Sequence, residues 1–334
     1  MKIIARAPGK LAILGEYAVL DGVEALVMAV DRHCRADIAT RDSEPSTVTV
    51  QMPDSTRHAL RADGTTGVAV VDLVARHFGA LTSPPAFEAH LDSRPFFRGA
   101  QKLGLGSSAA SLCAWAGARE AFERCRDERS RLGLNQLIAL HRALQGGAGS
   151  GLDVAASLTG GVVSFRLSAD SSARVGSVRL PNGVAFAGIF AGASASTPDF
   201  VGSYRAWQGG RPRESRNWLR EAKDIAMAGS SAVREGDADG LLAAVQQYGR
   251  ALESLGNRLG RDIVTAEHRE LGERAARFGL AYKVSGAGGG DLGLVFGIDA
   301  AAMSRFRDEV HTRGFDWIEL NVEEQGLTIE EHSA

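Results

Sequence analysis

The chain has 334 residues, is 44% hydrophobic and 23% charged, and carries a formal net charge of -2. That length exceeds what one core usually holds, so two domains are expected, and the near-neutral balance leaves no global field to draw the protein to nucleic acid or to a membrane surface. Three scattered cysteines (Cys34, Cys113, Cys125) without metal or redox spacing, an N-terminus "MKIIARAPGK" without the apolar core of a leader, and no apolar run near the roughly 18 residues of a membrane span predict free thiols in a cytoplasmic protein.

From the start, "KIIARA" and "KLAILGEYAVL" are strand-like runs punctuated by Pro8-Gly9 and Asp21-Gly22. "EALVMAV" and "CRADIAT" continue the pattern, and "STVTV" alternates. Over 66–80, Val68, Val71, Leu73, Val74 and Phe78 share one helical face, and "SPPAFEAHLDS" is a proline-broken entry into another strand. A glycine loop, "KLGLGSS", then opens a helix running to about Cys125, and a second helix, "NQLIALHRALQ", ends in "GGAGSG". After "LDVAASLTGG" and the strand "GVVSFRL" comes a polar, turn-rich stretch, 168–182. It is the expected boundary between an N-terminal domain, 1–172, and a C-terminal domain, 180–334. The second half starts on the strand "GVAFAGIFAG" and continues through helices at about 200–208, 215–232, 236–255 and 262–278. It closes with "YKVSGAGGGDLGLVFGI", a helix and the strand "DWIELNV". Its arginine-rich stretch "RAWQGGRPRESRNWLR" reads as a solvated helical hairpin, a mobile flap or a partner surface. Helices and strands mixed in both halves predict an α/β or α+β architecture.

The loop Gly104 to Ser108 carries the densest chemistry. Glycines let main chain approach a ligand closely, and successive N–H groups in such a loop point inward at an anion. The first N–H groups of the next helix are unpaired, and its dipole favours negative charge. Ser107 and Ser108 can cap that helix, bind a phosphate oxygen or reach a metal, and Lys102 adds a mobile positive charge. An ordinary helix cap behind a tight turn explains the same letters. The order is neither that of the P-loop, in which lysine comes after the glycines, nor that of the GxGxxG fingerprint. Only Lys2, Lys10, Lys102, Lys223 and Lys283 among 38 basic residues are lysine, and Lys10, Lys102 and Lys283 each adjoin a glycine motif, where a compact ammonium suits a phosphate.

Three segments in this order, "APGKLAILGEYAVLDG" (Ala7 to Gly22), "KLGLGSSAA" (Lys102 to Ala110) and "KVSGAGGGD" (Lys283 to Asp291), resemble the signature motifs of the GHMP kinases, which include galactokinases, homoserine kinases, mevalonate kinases and phosphomevalonate kinases. Tyr17 in "GEYAVLDG", the aspartate closing "SGAGGGD", the internal "GSGLDVAASLTGG" and "SASTPDFV" are most similar to the phosphomevalonate kinase branch, with the mevalonate kinases next. The resemblance implies an α+β fold of two lobes, with a nucleotide cleft between an N-terminal ATP-binding α/β domain and a C-terminal α/β domain. It implies ATP and Mg²⁺ as cofactors, and as partner a small molecule, 5-phosphomevalonate converted to 5-diphosphomevalonate. The protein would be a monomer or a homodimer. Mevalonate or another small alcohol is the alternative acceptor, and a ligand-binding protein without catalysis the remote one.

On that resemblance, Gly104, Leu105, Gly106, Ser107, Ser108 and Ala109 wrap the ATP phosphates, with Ser108 the metal ligand and Ser107 on phosphate. Lys10 lies by the transferred group. Asp153, the aspartate of "SGxD", acts as base or holds Lys10, although taken alone an aspartate there is most often a helix cap. Lys102, Tyr17, Ser150, Gly151, Ser285, Gly286, Ala287 and Gly288 are expected around the acceptor, with Lys283, Asp291, Arg98, His33, Arg142, Ser196 and Thr197 as further contributors. The metal-binding glutamate that mevalonate kinases carry ahead of this aspartate has no counterpart here. "ALHRALQ" offers His141 and Arg142 instead, which speaks against that style of metal ligation and fits an anionic acceptor or a solvated helix face.

Overall fold

The apolar runs on either side of Pro8-Gly9 form one strand, β1 (Lys2–Leu14), antiparallel to β2 (Ala25–Thr40), into which "EALVMAV" and "CRADIAT" also fuse. The structure is a computed structural model that describes residues 1–42, 45–59, 61, 65–78, 86–124, 133–147, 149–168, 170, 172–192, 197–290 and 292–332. Cys125, Ser196 and Asp291 lie outside the described residues. Proline is tolerated within β1 because the register shifts between Pro8 and Gly9, a bulge that removes the need for its missing N–H and re-aims the rest of the strand. Lys10 stands just past that bulge.

β3 (Thr47–Gln51) and β4 (Ser55–Ala59) make a hairpin, followed by α1 (Ala69–Phe78). β5 (Phe87–Asp92) lies between β2 and β3, antiparallel to the first and parallel to the second. A short hairpin of β6 (Phe97–Arg98) and β7 (Gln101–Lys102) leads into α2 (Ser107–Arg124), α3 (Leu134–Leu144) and α4 (Leu152–Thr159). β8 (Val162–Leu167) returns to β2, and β9 (Ala173–Val178) pairs with β8. α2 packs on β1 and β2 and buries Leu112, Trp115 and Phe122. Burial of a side chain such as Leu112 or Phe122 stabilises the fold by roughly 1.5–3 kcal/mol.

A second sheet is wholly antiparallel. β10 (Ala185–Phe190) precedes α5 (Thr197–Gly210), α6 (Pro212–Glu235), α7 (Ala238–Leu259) and α8 (Ala266–Arg277). β11 (Ala281–Ser285), β12 (Leu292–Gly297), α9 (Ala300–Thr312) and β13 (Asp316–Ile318) complete it in the order β11-β12-β10-β13. The arginine-rich stretch is the end of α5 and the start of α6, a helical hairpin. Pro212 takes the first turn of α6, where its missing N–H has no intrahelical partner to lose.

The last strand, β14 (Thr328–His332), is not expected from the sequence. It leaves the second sheet and pairs antiparallel with β1 at the edge of the first. A cut of the chain at 172–180 therefore leaves that edge strand in the second piece. Glycines make the return path fit: a Cβ on Gly160 or Gly326 would collide with main chain of the facing segment, and Gly117 of α2 leaves room for Leu327.

His268 of α8 belongs to the core under the second sheet. It is 1% exposed, and its Nδ1 lies 2.6 Å from the Tyr282 hydroxyl. Burial pushes its pKa down to about 4. The unfolded ring titrates near 6.5, so between those values the unfolded chain binds more protons. Its contribution is fully present above about pH 6.5 and is lost as pH falls toward about 4, a drop of up to roughly 3 kcal/mol. Urea unfolding from pH 7 downward measures this. His268→Gln, which does not titrate, should flatten that part of the profile, and an unchanged slope would assign it to other groups.

Candidate active site

The first two motifs interlock through main chain. The Lys10 N–H donates to the Leu105 carbonyl at 2.8 Å. A Cβ on Gly9 would lie 2.7 Å from that same oxygen, and one on Gly106, which has φ 78°, would lie 2.8 Å from Lys10 Cγ. The Lys10 stem thus lies over the bare backbone of Gly106, immediately before α2 begins at Ser107. Unpaired N–H groups at that helix end and the left-handed turns at Gly104 and Gly106 form an anion cradle beside an ammonium.

The third motif docks on the first. The Ser285 hydroxyl accepts from the Ala12 N–H at 3.0 Å and donates to the Ala12 carbonyl at 3.3 Å. The Lys283 ammonium pairs with the Glu16 carboxylate and donates to the Ala12 carbonyl at 3.2 Å. Burial pushes the Lys283 pKa down, the Glu16 charge opposes that fall, and Lys10 adds to it. Glu16 Oε1 also accepts from the Gly286 N–H at 3.4 Å, while its buried Oε2 has no partner among the described residues.

Tyr17 is the only non-glycine residue among those described with positive φ, at φ 61° and ψ -52°. The Ala18 N–H donates to the Glu16 carbonyl at 2.7 Å, closing a γ-turn of the strained positive-φ kind. Such a conformation costs roughly 1–3 kcal/mol and persists only where its surroundings hold it. Here the Tyr17 hydroxyl donates to the Ala287 carbonyl at 2.5 Å, its ring lies 5.4 Å from that of Tyr204, and the Tyr248 hydroxyl donates to the Glu16 carbonyl at 2.8 Å.

The "SGxD" segment supplies the remaining wall. Gly151, at φ 89°, caps α4, and a Cβ there would lie 2.6 Å from Ile138. Arg142 donates to the carbonyls of Gly149 and Ser150, each at 3.1 Å, and the Ser157 hydroxyl ties α4 to the Pro8 carbonyl at 2.7 Å. Asp153 stands in the first turn of α4. Burial alone would raise its pKa, but the Lys10 ammonium, followed by His141 and Lys102, holds the carboxyl below the usual range. His141 is 1% exposed, and its Nε2 lies 2.9 Å from Ser108 Oγ. Burial, helped by Lys10 and Lys102 and opposed by Asp153, pushes its pKa below the usual imidazole value.

A cleft of about 600 Å³, mouth included, brings together Lys10, Tyr17, Ser150, Asp153, Gly286 and Ala287. Val19, Leu20, Leu152 and Val201 make its apolar wall, and Thr197 stands at its rim on α5. Other residues expected at the site are engaged elsewhere. Ser285 and Lys283 bind β1, and His33 pairs with Glu323 at 3.1 Å, while the Ser150 hydroxyl stays at the cleft and accepts from the Leu152 N–H at 3.2 Å. Arg98 pairs with Asp316, Arg142 holds loop carbonyls, and Gly151 and Gly288 serve by lacking a Cβ. Lys102 sits in the β6–β7 hairpin, and its charge reaches Asp153 and His141. Glu16 and the bond from His141 to Ser108 are not foreseen by sequence reasoning. A lone acid among apolar residues near a scarce lysine was the available signal for Glu16.

Among the described residues no cluster of three or more His, Cys, Asp or Glu side chains is suited to hold a metal. The Ser108 hydroxyl and the Asp153 carboxylate are hard oxygen donors, which fits Mg²⁺ arriving with phosphate and water oxygens rather than an all-protein cage. The arrangement can hold a polyanion at a helix end, place an ammonium against it and keep a carboxylate ionised beside that ammonium.

Residues 66–161 match the family model of the GHMP kinases N terminal domain. The chain is 31% identical over 366 aligned residues to a phosphomevalonate kinase of Streptomyces sp. strain CL190, with 93% of each chain covered. It is 28% identical to a mevalonate kinase of Archaeoglobus fulgidus, over 98% of this chain and 100% of that one. The structure of the Streptococcus pneumoniae phosphomevalonate kinase in complex with phosphomevalonate and AMPPNP superposes with a TM-score of 0.79 at 21% identity, over 96% of this chain and 99% of that chain, and so shares the fold. With the three glycine motifs interlocked around Lys10 and a near full-length relative above the 30% level, the chain belongs to the GHMP kinase family.

Proposed function

We propose that the protein is an ATP-dependent phosphomevalonate kinase, which transfers the γ-phosphoryl group of ATP to the phosphate of 5-phosphomevalonate and yields 5-diphosphomevalonate and ADP. Likeness over 93% of the chain to a relative of that name supports the reading. The observation that carries it is Lys10. This residue is 7% exposed, and its ammonium, which shares the cleft with the Asp153 carboxylate, lies 3.6 Å from where a Cβ on Gly286 would stand. A phosphate entering the cleft would meet that cation beside the glycine loop.

The chemistry rests on the placement. The Gly104–Ser108 loop and the first N–H groups of α2 hold the triphosphate. An acceptor phosphate oxygen, already ionised near neutral pH, forms the new bond to the γ-phosphorus as the bond to the β–γ bridging oxygen breaks and ADP leaves. Lys10 neutralises charge on the transferring group, which is where phosphoryl transfer needs help. Asp153, held ionised, orients the Lys10 ammonium and need not act as a strong base. Ser108 would hold a Mg²⁺ that arrives with the nucleotide, and the ion would supply further charge neutralisation on the phosphate oxygens. The apolar wall of Val19, Leu20 and Val201 keeps water from competing as acceptor.

Coupled ADP-release assays with 5-phosphomevalonate and with mevalonate test the assignment. A kcat/KM preference of about 100-fold or more for the phosphorylated acceptor is expected. An equal or better rate on mevalonate would make the protein a mevalonate kinase. No ADP from either acceptor, nor from galactose or homoserine, would leave a ligand-binding protein.

A further inference from the structure

Ser107 and Ser108 are consecutive hydroxyls at one helix end, and the structure treats them differently. A hydroxyl has one hydrogen and two lone pairs. Against a phosphate it must donate. Against a cation it must accept, and its hydrogen then needs a third party. Acceptors are scarce at a helix N-terminus because the carbonyls point away along the axis. Two loop carbonyls already accept: that of Leu105 takes the Lys10 N–H at 2.8 Å, and that of Gly106 takes the N–H groups of Ala109 and Ala110, each at 3.1 Å. What does reach Ser108 is the Nε2 of His141, at 2.9 Å, from a helix 33 residues further along the chain. His141 is 1% exposed and fixed in the core between α2 and α4. An imidazole whose Nε2 carries no proton presents a lone pair there, and at this distance that nitrogen can take the hydroxyl hydrogen. No side-chain hydrogen bond is made by Ser107 among the described residues, which leaves its hydrogen for an incoming oxygen.

We propose that His141 is a positioning residue: its Nε2 takes the hydroxyl hydrogen of Ser108 and thereby presents the Ser108 oxygen to a divalent cation bound with the nucleotide, while Ser107 donates to phosphate. The inference rests on the nucleotide-site reading and adds the residue that sorts the two serines. The ring carries its own proton on Nδ1 in this arrangement, a tautomer assigned from the hydrogen-bond roles.

His141→Gln and His141→Asn separate reach from polarity, because the glutamine amide extends to the place of Nε2 and the asparagine amide stops at that of Nδ1. Mn²⁺ is titrated by EPR into protein saturated with AMPPNP, without acceptor, beside the affinity for metal-free AMPPNP. His141→Asn should weaken Mn²⁺ binding about tenfold or more, the scale of losing a partner that orients a metal ligand, and His141→Gln should stay within about threefold of the unsubstituted protein. Metal-free AMPPNP affinity should move less than about twofold in both. Ser108→Ala should match the asparagine variant, and the double variant should be no worse than either single. Equal Mn²⁺ affinity in the Gln and Asn variants, or additive losses in the double variant, would overturn the role of His141. Should His141→Asn not fold, Ser108→Ala decides: Mn²⁺ binding unchanged by it overturns the proposal. Failure of the unsubstituted protein to bind Mn²⁺ with AMPPNP would remove the nucleotide reading as well.

Discussion

Lys10→Met will lower kcat by about a thousandfold or more and leave the nucleotide affinity within about fivefold, which stopped-flow or equilibrium binding of a fluorescent ATP analogue can read beside the rate. The asymmetry comes from how the site is built. In the proposed site, nucleotide is held by the amides of the Gly104–Ser108 loop and the N-terminal end of α2, and the Leu105 carbonyl is anchored by the main-chain N–H of residue 10, which the substitution keeps. Methionine also keeps the stem that lies over Gly106, where a Cβ would come within 2.8 Å of Lys10 Cγ. What disappears is the ammonium facing Asp153 and Gly286, the group proposed to meet charge as it builds on the transferring phosphoryl. Asp153→Ala should cost less, about 10–100-fold, because a phosphate nucleophile needs no proton removed and the carboxylate only steers Lys10. If Asp153→Ala proves as damaging as Lys10→Met, the acceptor has a proton to lose and is an alcohol. If Lys10→Met instead abolishes nucleotide binding while single-turnover transfer survives, Lys10 is a ground-state anchor and the proposed role is wrong.

Lys283→Met will destabilise the protein by about 3–5 kcal/mol, the cost of stranding a buried charge. The Lys283 side chain is 0% exposed and that of Glu16 4% exposed, so water cannot replace the lost partner. Glu16 already has one oxygen without a hydrogen bond among the described residues, and loss of the ammonium leaves the carboxylate with little beyond the weak Gly286 N–H contact at 3.4 Å. The double variant Glu16→Gln/Lys283→Met should recover more than half of that loss, since replacing both charges removes the desolvation penalty together with the attraction. Urea unfolding of the single and double variants measures both. A loss below about 1 kcal/mol in Lys283→Met would mean that the carboxylate relaxes to water or takes up a proton, and that the pair is not what joins the third motif to the first. The same pair bears on catalysis, because Glu16 precedes the strained Tyr17, whose hydroxyl holds Ala287. Slack there would let Gly286 move relative to Lys10.

Different parts of the site are legible in the sequence to different degrees. The glycine loop reads directly, because a bare main chain ahead of a helix announces its chemistry locally, whereas Lys10 and Asp153 take their roles from the family resemblance. The helices α6 and α7 are expected at about 215–232 and 236–255, and the structure extends them to Pro212–Glu235 and Ala238–Leu259, each closed by a glycine, Gly236 and Gly260, in a left-handed cap. Ser285 and Lys283 look like ligand contacts because they adjoin the third glycine motif, yet strand alternation turns both toward β1. Tyr17 carries a family cue, but its γ-turn has no sequence signal, since the strain is held by Tyr204, Tyr248 and Ala287 from distant segments. β14 escapes notice because "TIEEH" is too polar to read as a strand, and it becomes one only by pairing with β1.

Residue type and spacing alone predicted a mixed α/β or α+β chain with a glycine loop suited to an anion, and the resemblance of three glycine motifs to the GHMP kinases added the two-lobed fold, Lys10 and Asp153. These are local demands: close approach of a backbone, a helix end, a charge of one sign. Tertiary structure alone decided which groups meet. Glu16 finds Lys283 across 267 residues, Tyr17 finds Ala287 across 270, and Ser108 finds His141 across 33. Whether a lysine holds phosphate or braces the fold depends on what opposes it once water is gone. Desolvation and hydrogen-bond partnership are properties of pairs brought together by folding, and no stretch of sequence contains both members.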